Sequence, residues 1–393
     1  MRFDEAYFDA GIDRRGTHCE KWDDRNVMPP DAIPLWVADM DFRCAPAIEE
    51  AVRKRAQHPC FGYNDEEAEA LCDDALCAFW KRRHGLTLKP EQIITLPCVI
   101  TGLNFCVRLF TREGDSVAMF TPVYGPFYKA VEQNGRKVSA VPLEADENGA
   151  YRMNLAGMKE ALENGSRLIM LCNPHNPVSR LWTKEELTAL VKLADQYDAK
   201  IVSDEIHADF VFAPGVFTPI LSIARAEERA VMLCAASKTF NVAGLQQAAA
   251  VTFSEKIHRG IRAMLNAVGI TGGNTFALTA TEAAYREGDD WLDGLISYLD
   301  GNRKALRDFV ETNLPKVRLA PMEATYLAWL DLRSYGLSCR EVQEKCRRHG
   351  VVFTGGTFFG PEGEGHLRVN FGCPRSQLLA GMKRLCEALK EEE

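Results

Sequence analysis

Between about residue 90 and residue 255, apolar and polar positions fall into two alternating patterns. Short apolar, β-rich runs stand at Ser116-Val117-Ala118-Met119-Phe120, Arg167-Leu168-Ile169-Met170-Leu171-Cys172, Lys200-Ile201-Val202-Ser203 and Val231-Met232-Leu233-Cys234. Helix-spaced segments separate them. Strand-length runs alternating with helix-length ones predict an α/β layer around a mostly parallel sheet. One intervening helix is especially well signalled. Thr183-Lys184-Glu185-Glu186 forms a capping box, and Leu187, Leu190, Val191 and Ala194 then recur on one helical face. In sheets of this kind ligands bind beyond the carboxyl ends of the strands, so the polar residues that follow each run are the first place to look for chemistry.

The pattern changes towards the C-terminus. A helical stretch runs from about Asp289 to Asn313, followed by strands at Thr325–Leu330 and His366–Asn370. A last helix starts near Ser376 and buries Leu378, Met382, Leu385, Cys386 and Leu389. These elements read as a separate α+β layer. No repeat and no Gly-, Ser- or Pro-rich linker divides the chain, so a junction is expected at a long helix near residues 275 to 300.

Composition narrows the possibilities. A chain of 393 residues exceeds one ordinary core, so two domains, or one large domain with an appendage, are expected. Its apolar runs are strand-sized, short of the roughly 20 residues that span a bilayer. The start, Met1-Arg2-Phe3-Asp4-Glu5, carries charge where an export signal needs an apolar stretch, which points to the cytoplasm. Thirteen cysteines, an odd number in a long chain, read as reduced thiols, mostly in the core. None has CxxC spacing with a matching histidine pair, so no zinc site is expected. A net charge of −8 argues against a nucleic-acid surface and leaves a small molecule as the expected partner.

Three polar clusters follow successive strands: Asn173-Pro174-His175-Asn176-Pro177, then Ser203-Asp204-Glu205-Ile206-His207, then Ser237-Lys238. Each has an ordinary reading as well as a chemical one. Asn-Pro pairs make turns, an acid after a strand caps a helix, His207 fits a core, and Lys238 fits a solvated loop. Together they are expected at one sheet edge, where consecutive βα loops would form a cofactor site. Pyridoxal 5'-phosphate (PLP) requires a lysine amine, a carboxylate for its pyridine nitrogen and a donor to its phenolic oxygen. Lys238, Asp204 and Asn176 fit those roles. Tyr124 follows a strand at the same edge and could either stack on such a ring or cover core. Cys98-Val99-Ile100-Thr101-Gly102 leads into a helical run, Leu103 to Leu109, whose start could hold a phosphate, although it lacks a P-loop signature.

The order N-P-x-N-P, S-D-E-I-H, S-K-T-F-N resembles the aspartate aminotransferase superfamily of PLP enzymes, fold type I. A finer resemblance is to its C–S lyase branch, the MalY/PatB-type cystathionine β-lyases. It extends to Arg15-Gly16-Thr17 with Lys21-Trp22-Asp23, to Ala38-Asp39-Met40-Asp41-Phe42, and to the segments Tyr326–Asp331 and Arg368–Arg375. The resemblance implies a large PLP-binding α/β domain over residues 45–285, with a seven-stranded, mostly parallel sheet. A small α+β domain would be built from residues 1–44 and 286–393.

Carried over by position, Lys238 would be the Schiff-base lysine and Asp204 the pyridine-nitrogen partner. Asn176 would bond the phenolic oxygen, beside His207, and Tyr124 would stack on the ring. The Val99 and Ile100 amides and the Ser237 hydroxyl would hold the phosphate, joined by Tyr63 from the other subunit of a homodimer. Arg368 would clamp the substrate carboxylate, with Asn176, Tyr124 and Tyr63 beside it; as a residue alone, Arg368 also fits a solvated strand arginine. Two departures leave the phosphate anchor open: Gln246 stands where an arginine is frequent, and Ala235 where a serine is common. The implied activity is β-elimination from cystathionine or a related S-substituted cysteine. An aminotransferase would use nearly the same residues, and His207, in place of a frequent tyrosine, favours the lyase. A third reading is a protein that binds a transcription regulator and retains residual lyase activity.

Overall fold

The computed structural model describes residues 2–390; Met1 and residues 391–393, the extreme ends of the expected small domain, lie outside the described residues. Seven strands form the main sheet: β1 (Ile93–Leu96), β2 (Ser116–Thr121), β3 (Lys137–Pro142), β4 (Leu168–Cys172), β5 (Lys200–Asp204), β6 (Ala230–Cys234) and β7 (Ala248–Val251). Their order is β1-β7-β6-β5-β4-β2-β3. From β6 to β3 every pairing is parallel, whereas β7 runs antiparallel to both its neighbours. Consecutive side chains point to opposite faces, and both faces are covered. Val117, Met119, Leu168, Met170, Val231 and Leu233 enter one apolar cluster, while Ala118, Phe120, Ile169, Leu171, Ala230 and Met232 enter the other. Burial on both faces explains why these strands read as continuous apolar runs.

A second sheet has the order β8 (Arg318–Leu319), β9 (Leu327–Asp331), β11 (His366–Asn370), β10 (Thr354–Gly355), all antiparallel. The N-terminal segment joins this part of the chain: Ile33 and Pro34 pair in parallel with Val351 and Val352, and Leu35 accepts from the Asn370 amide.

Three local expectations are corrected. The long helix expected near residues 275 to 300 is two, Thr275–Glu287 and Asp289–Asn313. Gly288 separates them, and a Cβ there would collide with the Phe240 ring and the Ala284 carbonyl. The strand expected from Thr325 begins at Leu327, because Thr325 has φ +63° and its hydroxyl bonds Ser179 (3.0 Å). The helix expected from Leu103 starts at Val99, directly after the extended Cys98.

All thirteen cysteines are free, most of them buried. Among the described residues no helix is long and apolar enough to cross a membrane, and no group of three His, Cys, Asp or Glu side chains is placed to hold a metal.

Candidate active site

Four parallel strands deliver their trailing loops to one edge of the sheet. Tyr124 follows β2, Asn176 follows β4, Asp204 ends β5, and Ser237 and Lys238 follow β6. Lys238 is not on the strand end, as the apolar run suggested, but inside the helical turn Ala236–Thr239. That turn leaves it half-buried on the floor of a cavity of about 170 Å³. Tyr124, Asn176, Asp204, His207, Ser237, Val99 and Ile100 share its wall.

Two predicted residues lie outside that wall. Arg368, on β11, is 3% exposed and reaches the cavity through Asn176, to whose Oδ1 its Nη1 donates (3.3 Å). It also donates to the Trp36 carbonyl (2.6 Å) and lies over the Phe359 ring. Tyr63 is fully exposed and lines a separate surface depression that meets the cavity only at Pro97, Gln246 and Gln247. Within its own chain it does not reach Lys238.

The electrostatics of the cavity follow from burial. Desolvation pushes the Asp204 carboxyl up to about 7, against the Ile206 amide and the Lys238 charge. It pushes the Lys238 ammonium down to about 8, and Arg368 adds to that while Asp39 and Asp204 oppose it. His207 is driven down to about 3 by burial and by the charges of Lys238 and Arg368, so its imidazole is neutral. The Tyr124 hydroxyl is also raised by burial. A lysine amine displaced this far is partly unprotonated near neutrality, as a nucleophile or base must be.

The residues present fit PLP. Asn176 spends its Oδ1 on Arg368, which leaves its NH₂ to donate into the cavity. Asp204 is a buried carboxylate facing the same space. No side chain caps the helix Val99–Phe110, so its first amides remain available to an anion. Gln247 Oε1 and the His207 Nδ1 are buried without a partner among the described residues. Ala235, where a serine is common, is buried and outside the cavity wall.

The family model of the class I and II aminotransferases matches residues 30–389. The chain belongs to that family. Proteins similar to the chain include cystathionine β-lyase PatB of Bacillus subtilis, 42% identical over 97% of this chain and 99% of that protein. Among solved structures, cystalysin from Treponema denticola, which contains PLP, superposes with a TM-score of 0.92 at 29% identity, over 98% of each chain. The PLP-bound C–S lyase of Staphylococcus hominis does so with a TM-score of 0.90 at 30% identity, covering 98% of this chain and 99% of the other.

Sequence reasoning missed several contributors. The Ala38 carbonyl accepts from Lys238 Nζ (2.5 Å) and from Tyr326 Oη (2.9 Å). Asn241 accepts from the Met40 amide (2.9 Å) and donates to the Met40 and Phe42 carbonyls. The motif Ala38-Asp39-Met40-Asp41-Phe42 was visible, but nothing local assigned it to Lys238, 200 residues away.

Proposed function

We propose that this chain is a PLP-dependent C–S β-lyase that converts cystathionine or a related S-substituted cysteine, with water, to a thiol, pyruvate and ammonia. The observation that carries the reading is the convergence of Lys238, Asp204, Asn176 and Tyr124 on one cavity, with Arg368 joined to it through Asn176. The similarity to PatB over nearly the whole chain supports the lyase over other activities of the family.

When bound, PLP supplies an electron-withdrawing ring that stabilises negative charge at the substrate Cα. Asp204 would keep the ring nitrogen protonated, Asn176 would donate to the phenolic oxygen beside the neutral His207, and Tyr124 would cover the ring. Val99 and Ile100 amides with the Ser237 hydroxyl would hold the phosphate, and Gln246, which stands where an arginine is frequent, lines the same wall beside Gln247. Arg368 pairs with the substrate carboxylate through its planar fork. Lys238 would anchor the cofactor until the substrate amine displaces it, and its freed amine would then take the Cα proton and pass a proton to the departing sulfur. A thiol with pKa about 8.5 leaves far more readily than hydroxide, so thioethers outrun serine.

Tyr63, exposed and remote from its own cavity, serves the neighbouring subunit's site in a homodimer. The domains divide at about residues 44/45 and 285/286, and the enzyme works in the cytoplasm.

The test is an assay of purified protein for pyruvate and thiol with cystathionine. Both products are expected, and Lys238→Ala is expected to lower the rate at least about 10²-fold and to abolish the cofactor's visible band. Unchanged lyase activity in that variant sinks the assignment. Release of a 2-oxo acid from an amino acid without a leaving group, in place of thiol, identifies an aminotransferase instead.

A further inference from the structure

The segment from Trp36 to Phe42 crosses between the two sheets with its carbonyls held one after another. Trp36 O accepts from Arg368, Val37 O from Asn370 (2.5 Å), and Ala38 O from Lys238 and Tyr326. Asp39 O accepts from Lys21 (3.0 Å) and Asn370 (2.7 Å), and Met40 O from Arg14 (3.2 Å) and Asn241. The segment is therefore a strap, tied at one end to Arg368, then to Lys238 at Ala38, and at the other end to Asn241, three residues after Lys238.

Buried charge fastens the strap. Lys21, 0% exposed, lies 2.9 Å from Asp41 and 3.7 Å from Asp39. Arg14 forks onto the Asp39 carboxylate (3.0 and 2.7 Å) and reaches Asp41 (3.0 Å). Trp22 Nε1 and Gln377 Nε2 complete the shell of Asp41, at 2.9 and 2.8 Å. Well-packed apolar residues could fill this volume at no loss of stability, so buried ion pairs are poor evidence of a purely structural role. Here the four charges lie on and around a segment that touches both Lys238 and Arg368.

We propose that Asp39 and Lys21 are positioning residues for the reaction at Lys238: through the strap they set the Ala38 carbonyl that receives the Lys238 ammonium and the Trp36 carbonyl that orients Arg368. This rests on the roles given to Lys238 and Arg368 above. The charged groups that face Lys238 are Asp39, Arg368, Asp204 and Glu20, with the neutral His207 beside them. Asp39 belongs to the strap, and removing its charge leaves Arg14 and Lys21 in excess. Removing Lys21 leaves the carboxylates in excess. The two changes act on a cation at Lys238 with opposite sign.

The experiment uses the full chain loaded with PLP, and follows the pH midpoint of the cofactor's visible band in Asp39→Asn and Lys21→Met. Asp39→Asn is expected to lower the midpoint, and Lys21→Met to raise it, each by about half to one pH unit, a three- to tenfold change in protonation. Both are expected to raise KM through Arg368. In the same chain without PLP, acetylation of Lys238 by acetic anhydride, followed against pH by mass spectrometry, should move in the same two directions. Unmoved midpoints, or shifts of the same sign, overturn the proposal, because simple loosening lowers the melting temperature without reversing sign. Asp39, 21% exposed in its side chain, keeps the test open if Lys21→Met does not fold. If the wild type shows no visible band, the lyase reading falls, and the labelling of Lys238 still decides the strap.

Discussion

Glu205 turns burial into a pH-dependent stability that can be measured. It is 1% exposed, and its Oε1 accepts from Ser203 Oγ (2.8 Å), the Ile220 amide (2.9 Å) and Asn173 Nδ2 (3.2 Å). Its Oε2 has no partner among the described residues. Burial pushes this carboxyl from its ordinary 4.5 up to about 8, against those three donors. Between these two values the folded chain keeps a proton that the unfolded chain has already released. The unfolded state then binds fewer protons, so the contribution of Glu205 is fully present below about pH 4.5 and is lost as pH rises to about 8. At about 1.4 kcal/mol per pH unit the loss is bounded at about 5 kcal/mol. Glu205→Gln removes the titration while keeping the volume and an acceptor oxygen. Asp204, which titrates in the same window, is common to both proteins, so only its coupling to Glu205 enters the difference. Urea unfolding of the cofactor-free chain, at one protein concentration and at about pH 5 and about pH 9, measures it. The stability of the variant relative to wild type is expected to rise by about 3–5 kcal/mol over that interval. A difference that stays constant within about 1 kcal/mol shows that Glu205 is ionised in the fold and refutes the reasoning.

Two further substitutions probe the site. Arg368→Lys keeps the charge but loses the planar fork that reaches Asn176 and Trp36, and is expected to raise KM for the amino-acid substrate about 10–100-fold with a smaller change in kcat; steady-state kinetics with an unchanged KM would remove Arg368 from substrate binding. Gly102→Ala places a Cβ 2.6 Å from Leu233 Cδ2 and 2.8 Å from Leu96 Cδ1, under the helix whose first amides are assigned to the phosphate. Overpacking of this kind costs about 1–3 kcal/mol, and weaker PLP binding by equilibrium dialysis is expected alongside it; lost stability with unaltered affinity would detach the helix start from the phosphate.

What was legible in the chain was local. Continuous apolar runs flagged strands buried on both faces, and the polar residues just after them, Asn176, Asp204 and Lys238, met at one edge because parallel strands all end there. The capping box at Thr183 and the last helix were equally local and recur in the structure, the latter as Arg375–Lys390. What escaped depends on partners far apart in sequence. Thr325, at φ +63°, bonds Ser179, and Gly288, between the two helices, leaves no room for a side chain beside Phe240. The strap meets Lys238 through a backbone carbonyl, and a carbonyl carries no residue-type signal. Ala38 could be any residue with respect to that contact, so only the charged anchors around it leave a trace in the sequence.

One cause, desolvation, dominates the titration of Asp204, Lys238 and His207, and it leaves them unequal. Asp204 at about 7, Lys238 at about 8 and His207 at about 3 are all displaced towards their neutral forms. Arg368 is displaced too, to about 10, yet that still leaves it charged at neutral pH. The one group among these that stays fully ionised is therefore a buried cation just behind the cavity wall, bonded to Asn176. In a chain of net charge −8, most of the surface repels an incoming carboxylate. Arg368, with Lys238 still mostly protonated near neutral pH, supplies local positive charge at the cavity, and the neutral His207 adds none. On the proposed roles, an α-carboxylate would be selected where charge survives burial, and Asp204 and Lys238 titrate close enough to neutral pH to exchange protons.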